Sequence, residues 1–213
     1  MGSNPYALGV VLRDLLPPAG PRALMPAAAL VDLARLADRL GYDSIWIPEG
    51  RGRELFSAIG AMAAATSRVR LGTGILPLYS RPPALTAMAA ATLGDLSGGR
   101  FVLGIGTGHP SIIERGFGVP FREPLAAVRE YIDIVRRLSA GDPVSMHGRV
   151  FRVEAFQLEA PPRHPTPIFL AALGPKMLRL AGEIADGVIL NWSTPARVQW
   201  AGGVVRDAAR AAG

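Results

Sequence analysis

Short, uninterrupted apolar runs alternate along this chain with longer stretches whose apolar residues recur every three or four positions. The first run is 7–12, Ala-Leu-Gly-Val-Val-Leu. Proline punctuation at Pro17, Pro18 and Pro21 follows it, and Pro26 suits the first turn of a helix, where the missing N–H has no partner to lose. That helix carries Leu30, Leu33, Ala34, Ala37 and Leu40 on one face, and Gly41 stops it. Further runs at 44–47, 69–75, 101–105, 168–172 and 187–190 predict strands. Helical patterns occupy about 54–66, 82–96, 123–139, 175–185 and 195–211, and Leu125, Val128, Ile132, Val135 and Leu138 form the apolar stripe of the third of these.

Strands that read as continuous apolar runs are buried on both faces, which points to a parallel sheet. Alternating strands and helices then leave two architectures, an open doubly wound sheet or a closed (β/α) barrel, and periodicity does not choose between them. Residues 143–153, with Val144-Ser145-Met146 and Val150-Phe151-Arg152-Val153 around His147-Gly148-Arg149, predict a small hairpin inserted before the fifth strand.

Composition adds exclusions. At 49% hydrophobic and 19% charged, the chain reads as one globular domain over residues 1–213. No stretch approaches the roughly 18 uninterrupted apolar residues of a membrane span, and Met1 to Gly9 lacks the basic-then-apolar order of a secretory signal. Cysteine is absent, which removes disulfides, thiolate nucleophiles and Cys-ligated metals; a cytoplasmic protein with no membrane partner is expected. The formal charge of +6 raises nucleic acid as a partner. Arg35, Arg39, Arg68, Arg70, Arg100, Arg136, Arg137 and Arg152 are scattered over element ends and outer faces, so a solvated basic surface is the better reading. A modest positive field would also recruit an anionic cofactor.

In parallel α/β folds ligands bind beyond the C-terminal ends of the strands. After the second run comes Glu49, followed by Gly50, Arg51, Gly52 and Arg53. Glu49 is either an acid or acceptor in the mouth of the sheet, or a loop carboxylate paired with Arg51 or Arg53. Gly72-Thr73-Gly74-Ile75 ends the third run, as a bulge approached by a ligand or as a plain turn. Gly104-Ile105-Gly106-Thr107-Gly108-His109 ends the fourth; its spacing is G-x-G-x-G, so a dinucleotide fingerprint is a weak reading. His109 either meets a polar ligand or is a satisfied loop residue. After the fifth run, Ala172-Leu173-Gly174-Pro175-Lys176 offers free N–H groups and a cation, a competent phosphate cradle that many ordinary turns also resemble. The three histidines, His109, His147 and His164, show no metal-ligand spacing, so no metal is expected. Gly94-Asp95-Leu96-Ser97-Gly98 has its serine one place too late for a nucleophile elbow, and no P-loop occurs. Such a chain suits a cofactor that carries the reaction itself.

Together, 41–49 (GYDSIWIPE), 66–75 (TSRVRLGTGI), 96–108 (LSGGRFVLGIGTG), 167–175 (PIFLAALGP) and 185–188 (ADGV) resemble the bacterial luciferase-like family, closest to its coenzyme F420-dependent oxidoreductases. The resemblance implies a (β/α)₈ TIM-type barrel, of which about six βα units are present here, with the C-terminal portion of the barrel expected to be missing from 1–213. It also implies a non-prolyl cis peptide at Gly74–Ile75, which backs the deazaflavin ring together with Thr73. Carried over by position, Glu49 and Gly50 border the ring, Thr107 and Gly108 meet its polar edge, and Leu173 with Gly174 receive the cofactor phosphate, so Ala172, Pro175 and Lys176 of the same turn stay cofactor-binding candidates. The implied activity is hydride transfer between F420 and a small organic substrate, with Glu49 and His109 as the catalytic candidates for proton movement, in a homodimer. Gly50 stands where some relatives carry a histidine, and Arg51 where others carry an aromatic residue, so the family's proton donor does not transfer. FMN-dependent monooxygenation, or non-catalytic flavin binding like that of the non-fluorescent flavoprotein, are the alternatives.

Overall fold

The first helix starts and stops where its chemistry dictates. Pro26 has φ −54° and caps α1 (Ala27–Leu40), and Gly41 closes it at φ +79°, a conformation that costs glycine nothing. In this computed structural model, which describes residues 7–12 and 26–213, Leu30, Ala34 and Ala37 of that helix are buried. Leu40 is 66% exposed and Leu33 half-buried, because α1 lies at the open end of the sheet with a helix on one flank. Pro17, Pro18, Pro21 and most of the Met1–Gly9 segment lie outside the described residues.

The strands are β1 (Gly9–Val11), β2 (Ser44–Ile47), β3 (Arg70–Thr73), β4 (Leu76–Pro77), β5 (Phe101–Gly106), β6 (Val144–His147), β7 (Arg152–Phe156), β8 (Ile168–Ala171) and β9 (Gly187–Ile189). The helices after α1 are α2 (Leu55–Ala65), α3 (Pro83–Ser97), α4 (Pro110–Gly116), α5 (Pro124–Ser139), α6 (Pro175–Ile184) and α7 (Pro195–Ala212). The main sheet runs β1-β2-β3-β5-β8-β9, all parallel, with β4 added to β5. This is a partial (β/α)₈-type sheet of six strand–helix units. Among the described residues nothing pairs with the outer edges of β1 and β9.

Burial follows the pleat. Ile45 and Ile47 of β2, and Ile168 and Leu170 of β8, point outward into the helical layer and are buried there with Leu55, Ile59, Met62, Val128, Ile132 and Leu178. Their alternates Trp46 and Phe169 face inward and meet at 5.9 Å between ring centroids. Helix α7 closes on α6, where an added Cβ on Gly182 would lie 2.4 Å from the Val205 carbonyl oxygen, so only glycine permits that approach.

Four expectations need correction. The apolar run 69–75 is not one strand: β3 ends at Thr73, and pairing resumes in β4. The second arm of the hairpin starts at Arg152 rather than Val150, because the Glu130 carboxylate accepts the N–H groups of Arg149, Val150 and Phe151 at 2.7–3.0 Å and bends them into a turn. Arg100 is not a solvated surface cation. It is half-buried and donates to the carbonyls of Ser97, Val69, Ala63 and Thr66 and to the Thr66 hydroxyl, clamping the N-terminal rim of the sheet. Leu125 of the α5 stripe is 37% exposed, while Val128, Ile132, Val135 and Leu138 are buried.

Candidate functional site

Parallel strands place all their C-terminal ends on one rim, and the order β2-β3-β5-β8 sets the four candidate corners side by side. The first two are laced together. Gly74 donates its N–H to the Ile47 carbonyl at 2.8 Å, and Glu49 donates its own to the Ile75 carbonyl at 3.2 Å. Between those bonds the Gly74–Ile75 peptide is cis, as the resemblance implied.

Glu49 turns its side chain into this corner, leaving 10% of it exposed. Its carboxylate accepts from the Ser80 hydroxyl at 3.2 Å and lies 3.9 Å from the Arg81 guanidinium, which also pairs with Glu54 at 2.8 Å. Burial pushes the Glu49 carboxyl above its ordinary range, and the Arg81 charge and the Ser80 hydrogen bond pull part of the way back. A carboxyl raised by burial at the mouth of a sheet has the properties of a proton carrier. Sequence reading missed Ser80 and Arg81; the signal was a polar pair directly before Pro82, the residue that caps α3.

The glycines divide into two kinds. A Cβ on Gly72 would sit 2.4 Å from the Trp46 ring, one on Gly74 3.0 Å from the Trp46 Cβ, and one on Gly104 2.0 Å from the Thr73 carbonyl oxygen. One on Gly106 would meet Ile75 and Ala171 at 3.0 and 3.1 Å. These glycines make room for the chain's own parts. Gly50 and Gly174 do not: no heavy atom lies within 4 Å of an added Cβ at either, and neither backbone is left-handed. Nothing internal requires glycine there, which is the pattern expected where a ligand meets the backbone.

Thr73 is buried, and its hydroxyl donates to the Gly104 carbonyl at 2.6 Å while accepting the Gly104 N–H at 2.7 Å. Its side chain pins β3 to β5 and presents nothing to a ligand. Gly108 adopts φ +73° beneath α4, with Pro77 and Ile113 close to where a Cβ would be. The half-buried Thr107 hydroxyl has only a 3.5 Å contact, to the Gly108 carbonyl, and stays available. His109 is exposed at the start of α4, with Nδ1 2.9 Å from the Ser111 hydroxyl. It sits on the β5 corner and Glu49 on the β2 corner, and no hydrogen bond joins them.

At the β8 corner Ala172 is buried and donates its N–H to the Ile189 carbonyl at 3.2 Å. Leu173 is exposed, Gly174 caps α6 and Pro175 opens it, so Lys176 falls in a first turn whose N–H groups have no partner within the helix. A cation that sequence reading left out joins them. Arg197 of α7 donates to the Leu173 carbonyl and stacks over Trp200 at 4.1 Å. The recess beside Gly50, of about 550 Å³, extends under α4.

Comparison with known proteins places this geometry. The luciferase-like monooxygenase family matches residues 8–213. The 5,10-methylenetetrahydromethanopterin reductase of Methanolobus tindarius is 35% identical over 171 residues, covering 80% of this chain and 52% of that protein. That of Archaeoglobus fulgidus is 40% identical over 162 residues, covering 76% and 48%. The chain therefore spans about half the length of the curated relatives it matches. Among solved structures, the coenzyme F420-dependent tetrahydromethanopterin reductase from Methanopyrus kandleri superposes with a TM-score of 0.84 at 26% identity, covering 97% of this chain and 61% of that one.

Proposed function

The chain belongs to the luciferase-like monooxygenase family, and on that premise we propose that it is an oxidoreductase transferring hydride between coenzyme F420 and a small organic substrate. The observation that carries the proposal is the pair of unoccupied glycine positions, Gly50 and Gly174, on corners that flank the cis Gly74–Ile75 peptide. The likeness to the F420-dependent reductase structure supports the choice of cofactor.

Gly50, Gly74, Ile75, Thr107 and Gly108 would border the ring, with Thr73 fixing the corner from behind. Leu173, Gly174 and Lys176, positioned by Ala172 and Pro175 and joined by Arg197, would hold the anionic arm. Their fit rests on the donor set: first-turn N–H groups and two cations beside an open backbone position. Bound there, F420 supplies a ring carbon that accepts or gives hydride. The chain's own contribution is position and proton handling. Glu49, held neutral more readily than an ordinary glutamate, carries a proton at its carboxyl with Ser80 and Arg81 setting its orientation. His109 holds Nδ1 on Ser111 and leaves Nε2 free for the same service.

FMN-dependent monooxygenation is the second reading, favoured by the description of the family itself. Among the described residues no helix is long and apolar enough to cross a membrane; cytoplasmic residence and a homodimer belong to the proposal. Parallel titrations of the purified chain with F420 and FMN, read by fluorescence, test it. Saturable F420 binding with weak FMN binding is expected, followed by F420 oxidation or reduction with an acceptor or donor. Binding of FMN alone overturns the cofactor assignment, and tight binding with no turnover across a substrate panel overturns the enzyme.

A further inference from the structure

Resting on the oxidoreductase reading, we infer that the recess between the β2 corner and α4 is the substrate half of the site and selects an organic anion, its carboxylate or phosphate gripped between Arg51 and Arg115. The recess is lined by Gly50, Arg51, Ser111, Ile112, Arg115 and Phe117, and at about 550 Å³ it suits a small molecule.

Sheet order separates it from the cofactor's anionic arm. The arm's donors stand on β8 and α6; the recess runs from the β2 corner to α4, which follows β5, and none of those donors lines it. It is reached from Gly50, the position argued to border the ring, and from Ser111, whose hydroxyl holds His109. Neither Glu49 nor His109 lines the recess itself, but each adjoins a residue that does, Gly50 and Ser111.

Charge supplies the second argument. Arg81 pairs with Glu49 and Glu54, Arg149 with Glu123, and Arg197 caps the Leu173 carbonyl. Among the described residues Arg51 and Arg115, by contrast, make no ion pair or side-chain hydrogen bond, and no carboxylate lines the recess they share. Two like charges facing one hollow repel each other until an anion sits between them. The guanidinium fork matches carboxylate and phosphate oxygens two at a time. Ile112 and Phe117 give the recess an apolar wall for the body of the ligand. The preferred substrate is therefore an organic acid or phosphate ester with an apolar portion.

The test titrates inorganic phosphate into the full chain, with and without saturating F420, by calorimetry. With F420 saturating, so that the cradle at Gly174 and Lys176 is filled, saturable binding is expected, weakened about tenfold in R51Q/R115Q, partly restored in R51K/R115K and unchanged in K176Q. Both arginines are exposed, so the variants fold as the parent does. Binding lost in K176Q but kept in R51Q/R115Q assigns the anion to the cofactor arm and overturns the inference, as does the absence of saturable phosphate binding once F420 fills the cradle. F420 affinity is read separately. Its absence alongside arginine-dependent phosphate binding sinks the oxidoreductase reading and leaves the anion site standing.

Discussion

Replacing Gly174 by alanine distinguishes a glycine kept for a ligand from one kept for the fold. The added methyl at Gly174 meets no heavy atom within 4 Å, and φ is −88°, which alanine adopts freely. The folded state loses nothing and the unfolded chain loses freedom, a gain of about 0.4–1 kcal/mol. Gly50→Ala follows the same reasoning. Gly104→Ala is the contrast. Its methyl would lie 2.0 Å from the Thr73 carbonyl oxygen and 2.7 Å from the Ile189 Cδ1, whereas carbon and carbonyl oxygen ordinarily meet at about 3.3 Å. Backbone must retreat by more than an ångström, at a cost of about 3 kcal/mol. If Gly174 presents its backbone to the cofactor phosphate, the methyl removes a charge-assisted hydrogen bond of about 1.5–3 kcal/mol, a tenfold to hundredfold loss of F420 affinity. Urea midpoints and F420 fluorescence titrations on the three variants give both quantities. The expected pattern is unchanged or raised stability with weakened binding for G50A and G174A, and lowered stability for G104A. An F420 affinity for G174A equal to the parent's would refute the ligand argument, and an unaltered G104A midpoint the packing argument.

Three further outcomes follow from the same geometry. Burial alone would raise the Asp38 carboxyl, but the N–H groups of Val69, Ser67 and Arg68 and the Ser67 hydroxyl hold it down from 3.8 to about 2. Its stabilisation is therefore complete above the unfolded value and lost as pH falls toward about 2. Discounted for solvent exposure, D38A should lose about 1–2 kcal/mol at neutral pH, with urea midpoints converging on the parent's in acid. Glu49 has the opposite sign: its folded value is raised, so parental stability should decline relative to E49Q as pH climbs from 4.5 through that value. E49Q should also erase the corresponding limb of the turnover–pH profile while F420 affinity stays within about twofold. Thr73→Val keeps the shape but strands the N–H and carbonyl of Gly104, so thermal unfolding should report a loss of about 1–3 kcal/mol.

Much of the scaffold was legible because its signals are local. Pro26 and Gly41 bracket α1, and 44–47 is a strand with the bounds its apolar run predicts. What escaped depends on partners distant in sequence. Glu130 steals the N–H groups that would have made Val150 and Phe151 strand residues, and no window around them contains that carboxylate. Helix α4 is seven residues long, too short for an apolar stripe, and Pro110 was its only announcement. At the site, proximity to strand ends singled out corners that the fold sets side by side, but not which groups on them are free. Thr73 and Glu49 read alike as polar residues at strand ends, yet one hydroxyl is consumed by Gly104 while the other side chain waits in a raised, half-satisfied state. Arg197 escaped because α7 reaches the β8 corner only through the fold.

The two backbone hydrogen bonds that lace the β2 corner to the Gly74–Ile75 segment have a mechanical consequence. With Gly74 fastened to Ile47 and Glu49 to Ile75, neither lip can swing out without dragging the other. If the proposed site is real, a mouth stitched in this way should hold the same shape before and after a guest arrives. Amide protons of Gly74 and Glu49 should then exchange slowly in the empty protein and gain little protection on loading. Capture should be governed by how fast molecules collide with the rim, not by a slow rearrangement of it.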